Sequence, residues 1–257
     1  DGGATWNPTG ETVTGSNALM GDIYINPTNS NMIWAVSSQG LFKTTDAGAS
    51  WTKTQTGKIT ELRLKPNNPN TLYIVQEVSS TINIMKSTDA GNTFNTISTY
   101  PSSGRTAIDV TKANPEYLYI LVSNQNSTFK SLIRSTDSGQ TFEVRNSSTD
   151  IYDGSAQAWF DLALAASDTN PELIFTGTLN VWNSTDGGVT FTRGASWSSP
   201  NAANYTHADI HDIKFFNDKL YVSSDGGIYI SEDNGATFSD KTKNGLNIGQ
   251  FYRIDVA

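Results

Sequence analysis

Apolar and polar positions alternate along this chain in short runs. "GDIYINPTNSNMIWAV" at residues 21–36 is two such runs separated by an Asn/Pro turn. "ELRLKPNNPNTLYIV", "AIDVTKANPEYLYILV" and "DLALAASDTNPELIFTG" repeat the plan, and "DIHDIKFFNDKLYVSS" shortens the turn to Asn-Asp. Period-two alternation predicts strands, and a two-residue Asn-Asp link predicts a tight hairpin. No segment carries helical spacing, so the expectation is an all-β chain built from antiparallel hairpins.

A second pattern overlies the first. "DGGATW" (Asp1–Trp6), "TTDAGASW" (Thr44–Trp51), "STDAGNTF" (Ser87–Phe94), "STDSGQTF" (Ser135–Phe142), "STDGGVTF" (Ser184–Phe191) and "SEDNGATF" (Ser231–Phe238) share the form S/T-x-D-x-G-x-T/S-W/F. The aspartates are Asp1, Asp46, Asp89, Asp137, Asp186 and Asp233, spaced by 45, 43, 48, 49 and 47 residues. That period fits a propeller blade of four strands. Locally, Asp accepts hydrogen bonds from backbone N–H groups just ahead of it. The glycine two places on takes a positive φ without a Cβ clash. The aromatic is expected to fold back and bury its ring. Each phrase therefore reads as the corner between the third and fourth strands of a blade, and Asp46, Asp89, Asp137, Asp186 and Asp233 as structural.

The phrase resembles the Asp-box, or BNR repeat, of sialidases, xyloglucanase-type glycosidases and sortilin-like propellers. Stretches such as "WFDLALAASDTNPELIFTGTLNVWNSTDGG" look similar to large secreted or surface bacterial proteins, many of them substrates of type IX secretion. The resemblance implies a β-propeller of four-stranded antiparallel blades and an extracellular setting. Complete blades are expected near 7–55, 56–100, 101–155, 156–205 and 206–248. A further blade is expected to be split, its corner at Asp1–Trp6 and its first strand in "FYRIDVA". The chain thus reads as part of a larger ring, completed by further sequence or chains.

Composition narrows the partners. The net charge is −8, with 17 Lys and Arg against 25 Asp and Glu in 257 residues. Phosphate neutralisation needs clustered cations, so nucleic acid is not an expected ligand. No apolar run approaches the roughly 20 residues of a membrane span. There is no cysteine. No cofactor and no metal is expected.

In a propeller the first strand of each blade lines the channel, and its entry faces the binding side. Asp22, Glu61, Arg105, Trp159, Asp161, His207, Asp209, His211, Tyr252 and Arg253 are the predicted entry residues. Polar groups beside aromatic faces suit a glycan or a protein ligand; mutual pairing that fills the channel is the alternative. In "HADIHD", His207, Asp209 and His211 are expected on one strand face. Residues four apart on a strand lie roughly 13 Å apart, too far to share a metal.

Sialidases carry an arginine triad and an F-R-I-P motif. This chain has six arginines and "FYRI" at Phe251–Ile254, which argues against that activity. Xyloglucanase-type catalysis needs two carboxylates about the glycosidic bond. Asp225 in "SSDGGIY" is the weak catalytic candidate, though its Asp-Gly-Gly also reads as a tight turn. Recognition or adhesion is therefore the expected function, with glycoside hydrolysis and a structural surface role as alternatives.

Overall fold

The computed structural model of the chain describes residues 19–242, together with Ala4, Thr5 and Asn7. These residues form strands, turns and bends and no helix. Five antiparallel sheets of four strands follow one another. Blade 1 comprises β1 (Met20–Asn26), β2 (Asn29–Ser37), β3 (Gly40–Thr44) and β4 (Thr52–Thr56). Blade 2 comprises β5 (Lys58–Leu64), β6 (Leu72–Val78), β7 (Thr81–Ser87) and β8 (Asn95–Pro101). Blade 3 comprises β9 (Ser103–Val110), β10 (Leu118–Asn124), β11 (Phe129–Ser135) and β12 (Glu143–Asn146). Blade 4 comprises β13 (Ala163–Ala166), β14 (Ile174–Gly177), β15 (Val181–Ser184) and β16 (Thr192–Ala195). Blade 5 comprises β17 (Ile210–Phe216), β18 (Lys219–Ser224), β19 (Gly227–Ser231) and β20 (Ser239–Asp240).

The first strands β1, β5, β9, β13 and β17 stand side by side in that order. Together they line a central cavity of about 590 Å³, to which Tyr24, Arg63, Asp109, Ala166 and Phe215 contribute. Among the described residues the core consists of four apolar layers, one between each pair of successive blades. Trp34, Val36 and Leu41 of blade 1 meet Leu62, Leu72 and Ile74 of blade 2. Blades 2 and 3 meet through Tyr73, Ile84, Ile108 and Ile120. Blades 3 and 4 meet through Leu121, Leu132, Leu164 and Ile174, and blades 4 and 5 through Ala165, Phe175, Ile213 and Val222. Being covered on both faces, β13 is buried throughout. By contrast, β1 is exposed or half-buried until Asn26, and β17 mixes buried, half-buried and exposed positions.

The corners carry this arrangement, and their chemistry is divided differently from the sequence expectation. The aspartate sits at the surface. It is the first residue of the phrase, Ser or Thr, that is buried. In all five corners the hydroxyl accepts the buried N–H of the glycine: Gly48 from Thr44 at 3.0 Å, Gly91 from Ser87 at 2.9 Å, Gly139 from Ser135 at 2.8 Å, Gly188 from Ser184 at 2.8 Å and Gly235 from Ser231 at 2.7 Å. That hydroxyl donates its own proton to the aspartate, as from Ser135 to Asp137 at 2.7 Å. The carboxylate also accepts the Thr141 N–H at 2.9 Å and its hydroxyl at 2.6 Å. The corner aromatics Phe94, Phe142, Phe191 and Phe238 are half-buried rather than buried, because each ring caps the edge of a core layer.

The glycine has a steric role as well. Gly139 adopts φ 83°, and a Cβ there would stand 2.6 Å from Ile97 Cδ1 of the preceding blade. The residue before the glycine also takes a positive φ: Ala90 at 57° and Ser138 at 59°. This turns its carbonyl toward the blade before. Trp34 Nε1 donates to the Ala90 carbonyl at 3.0 Å, and Lys86 Nζ to the Ser138 carbonyl at 2.7 Å. Arg145 Nε donates to the Gly187 carbonyl at 3.0 Å. Each corner is thus a key that fits its predecessor.

Ser135→Ala is expected to lower the unfolding free energy by about 1–3 kcal/mol, because the buried Gly139 N–H loses its acceptor. Ser135→Thr should restore most of it, since Thr44 does the same work in blade 1. Denaturant unfolding measures both; an unchanged midpoint in Ser135→Ala would refute the role.

Candidate functional site

One cation organises the channel. Arg63, on β5, is buried. Its Nη1 donates to Asp22 Oδ2 on β1 at 2.9 Å and its Nε to Asp109 Oδ1 on β9 at 3.1 Å, and Nη2 stands 3.1 Å from Glu61 Oε2. Asp109 Oδ2 in turn accepts the Ala166 N–H of β13 at 2.8 Å. Four of the five inner strands are tied through this guanidinium. Burial alone would disfavour its charge, but Glu61, Tyr24, Asp109 and Asp22 together hold its pKa well above the usual value. Burial pushes Glu61 up to about 7, against the pull of Arg63. Asp22 and Glu61 are therefore engaged in the channel, as the pairing alternative anticipates. Arg63 and Asp109 escaped the sequence reading. The available signal was period two: Glu61 and Arg63 lie on one face of "ELRL".

A second group gathers where blades 4 and 5 enter the channel. The connection from β12 to β13 is built on buried Ile151, Tyr152 and Ala158. Asp153 on this connection accepts from Asn180 Nδ2 at 2.7 Å and Trp182 Nε1 at 3.0 Å, and it pairs with Arg193. Gln157 O accepts the N–H groups of Phe160 and Asp161 at 2.7 and 3.1 Å. Arg105 Nη1 donates to the Phe160 carbonyl at 2.8 Å. The backbone is pinned, yet Trp159 is 69% exposed and Phe160 41% exposed. Their rings lie 5.5 Å apart, and Phe160 meets His211 edge to face at 4.9 Å. His211 Nε2 stands 2.6 Å from Asp225 Oδ1. Below them Asp161 is fully buried. Its Oδ2 and the Oδ1 of Asp209 both face Gln157 Nε2, at 3.5 and 3.3 Å. Its Oδ1 has no hydrogen-bond partner among the described residues. Burial, and then the charge of Asp209, pushes Asp161 up to about 7.

The structure brings Trp159, Asp161, Asp209, His211 and Asp225 together, and adds Phe160 and Gln157. It corrects the picture of "HADIHD". β17 starts only at Ile210, and Asp209 has φ 61°, so His207, Asp209 and His211 do not share a strand face. His207 is exposed and folds over Gly226, where a Cβ would collide with it. Trp159 likewise precedes its strand, in a turn that the apolar run of "WFDLALAA" concealed. Asp225 stands in the β18–β19 turn. Tyr252 and Arg253 lie outside the described residues. Among the described residues no group of three or more His, Asp or Glu is placed to hold a metal ion, and no helix is long and apolar enough to cross a membrane.

The carboxylates predict an acid-side stability optimum. Glu61 and Asp161 rise from 4.5 and 3.8 to about 7, so the folded state holds more protons than the unfolded one in that window. Stability then falls as pH rises from about 4 to 7. The corner aspartates act in the opposite sense. Hydrogen bonds from Thr141 and Ser135 hold Asp137 near 2, and those from Thr237 and Ser231 do the same for Asp233. Their stabilisation is lost as pH falls from 3.8 toward 2. Thermal unfolding midpoints are expected to peak near pH 4, with a decline toward pH 7 that flattens in Asp161→Asn. A steady rise from pH 4 to 7 would contradict this.

Solved structures share the fold. An ancestral GH74 enzyme superposes with a TM-score of 0.66 at 16% identity, over 87% of this chain and 31% of that one. The GH74 enzyme of Niastella koreensis gives 0.59 at 21% identity, over 84% of this chain and 36% of that one. YCF48 from Cyanidioschyzon merolae gives 0.55 at 12% identity, over 93% and 71%. A YCF48 bound to D1 peptide gives 0.52 at 15% identity, over 91% and 72%. The chain thus spans about a third of the length of the GH74 chains it matches. No curated protein matches the sequence. Residues 1–174 match the family model Sortilin-Vps10, described as sortilin, neurotensin receptor 3. With its Asp-box corners and its ring of four-stranded blades, the chain belongs to the Sortilin-Vps10 family of β-propellers.

Proposed function

We propose that this propeller is an extracellular recognition module that binds a glycan at the entry of blades 4 and 5. The observation that carries the reading is the Trp159–Phe160 pair: two aromatic rings held in solvent on a backbone that the core has fixed. Exposing such rings has no folding benefit, whereas a rigid aromatic platform loses little entropy when a sugar stacks on it. His211, Asp225 and Asp209 surround the platform and offer directional hydrogen bonds. Asp161 is the floor. Its burial raises it to about 7, so near neutral pH a substantial share carries the proton, and that form can donate to a ligand oxygen. The type of fold is consistent with this use, since it serves both GH74 enzymes and a propeller bound to a peptide.

Glycoside hydrolysis is the second reading, favoured by one specific observation. Asp161, raised to about 7, sits with Asp209 and Asp225 at one entry. A protonated carboxyl beside an ionised one is the pairing that a general acid and its partner require.

Trp159→Ala is expected to weaken binding of β-glucan or xyloglucan oligosaccharides about tenfold or more, as removal of a central aromatic anchor does. The unfolding midpoint should stay unchanged, since the ring has no core contact to lose. Binding that survives Trp159→Ala would refute the glycan site. Release of reducing ends by the parent chain, abolished in Asp161→Asn or Asp225→Asn, would replace it with the hydrolase.

A further inference from the structure

Trp159 and Trp197 are the two exposed tryptophans among the described residues, at 69% and 48%. Only Trp159 belongs to the site at the channel entry, yet both stand at one end of the same sheet. Ala163, Gly177, Val181 and Ala195 form a single row of cross-strand partners over β13, β14, β15 and β16. Trp159 stands just before the start of that row and Trp197 just after its end. The chain therefore carries both beyond the same edge of blade 4. Three strand spacings separate β13 from β16, so the two connections leave the sheet about 14 Å apart.

Trp197, like Trp159, is held outward by a pinned backbone. Its N–H donates to Asn180 Oδ1 at 3.0 Å. Asn180 is buried in the β14–β15 turn, and its Nδ2 donates to Asp153 Oδ2 at 2.7 Å. Asp153 lies on the connection that carries Trp159. One relay, Asp153–Asn180–Trp197, thus fixes both tryptophan-bearing connections to the same turn. The β16–β17 connection is fastened twice more. Asn204 Nδ2 donates to the Gly194 carbonyl at 2.7 Å, and the Ala203 carbonyl accepts the Phe238 N–H at 2.8 Å. A loose segment would fold its indole inward to leave water. This backbone does not allow it.

The surroundings point to the chemistry of the ligand. Next to Trp197 in the chain, Ser198, Ser199 and Asn201 are exposed. Arg193, which pairs with Asp153, has a side chain 48% exposed. A protein partner needs a contiguous apolar patch at the centre of its contact. Single rings set apart among hydroxyl, amide and guanidinium groups suit sugars instead, whose C–H faces stack while their hydroxyls hydrogen-bond at the rim. We propose that Trp197 is a second sugar platform, and that the ligand is an extended β-linked glucan chain laid across the end of blade 4 from the channel entry to the outer strand. This rests on the glycan reading of the Trp159 site and adds chain length to it. A disaccharide is too short to stack on both rings. A straight oligosaccharide reaches both, and the second contact adds to the first without a second loss of overall freedom.

Titration of the 257-residue chain with cellobiose and with cellohexaose, read by NMR on the indole N–H signals, tests the inference. Cellohexaose should shift the Trp159 and Trp197 signals with one shared midpoint, about tenfold or more below that of cellobiose. Trp197→Ala should remove this gain and leave the cellobiose midpoint at Trp159 where it was, while Trp197→Phe should keep most of the gain. Cellohexaose that binds no tighter than cellobiose overturns the second platform, and so does a gain that survives Trp197→Ala. In either case, cellobiose binding that depends on Trp159 leaves the entry site standing. No shift with either sugar overturns both. The length dependence of the parent chain is read without any substitution, so it decides the matter even where Trp197→Ala does not fold.

Discussion

A single buried N–H recurs at each of the five described corners, and the ring depends on where it finds an acceptor. The glycine that turns the corner is pressed against the previous blade and cannot reach water. A Ser or Thr hydroxyl four residues earlier accepts its proton. Leaving such a group unpaired costs about 1–3 kcal/mol. Five of them are commensurate with the whole net stability of a domain, about 5–15 kcal/mol. The surface aspartate then orients the hydroxyl and gathers the strand that follows. This explains why the phrase is so constant within one chain: each letter has a distinct partner, and the glycine has no room for a side chain.

The corners and the channel divide the labour. Corners join each blade to its predecessor at the rim, and Arg63 joins four inner strands at the centre. A guanidinium facing three carboxylates leaves the channel lining acidic, and burial relieves the imbalance by favouring the protonated form of Glu61. With rim and hub both occupied by structural pairing, the entry of blades 4 and 5 is free of that duty. There the polypeptide holds two aromatic rings outward and keeps a carboxyl buried with one oxygen unpartnered. Both features cost stability where they stand, and a ligand would offset both.

Much of the fold was legible in the sequence because it is repeated. The period of the aspartates set the blade, and the alternation on either side of each Asn/Pro turn set its first two strands. The division of roles inside the corner was not legible: "S-x-D" does not say whether the hydroxyl or the carboxylate meets the buried donor, since both can accept. Arg63 was hidden for a similar reason. One arginine in "ELRLK" reads as a solvated charge until Asp22 and Asp109 arrive from neighbouring blades. At the candidate site Trp159, Asp161 and Asp225 were singled out from residue type and place, and the structure sets them near one another. The left-handed turn at Asp209 was invisible, because any alternating stretch looks like a strand until a backbone angle breaks it.

The central claim is that the corners lock successive blades into one cooperative unit. Hydrogen exchange of the Gly91, Gly139, Gly188 and Gly235 amides under native conditions tests it most directly. If the account holds, all four exchange only through global unfolding, with one common opening free energy that matches the value from denaturant. Fast exchange at any one of them, or four unrelated opening energies, would show blades that open singly and corners that do not lock them.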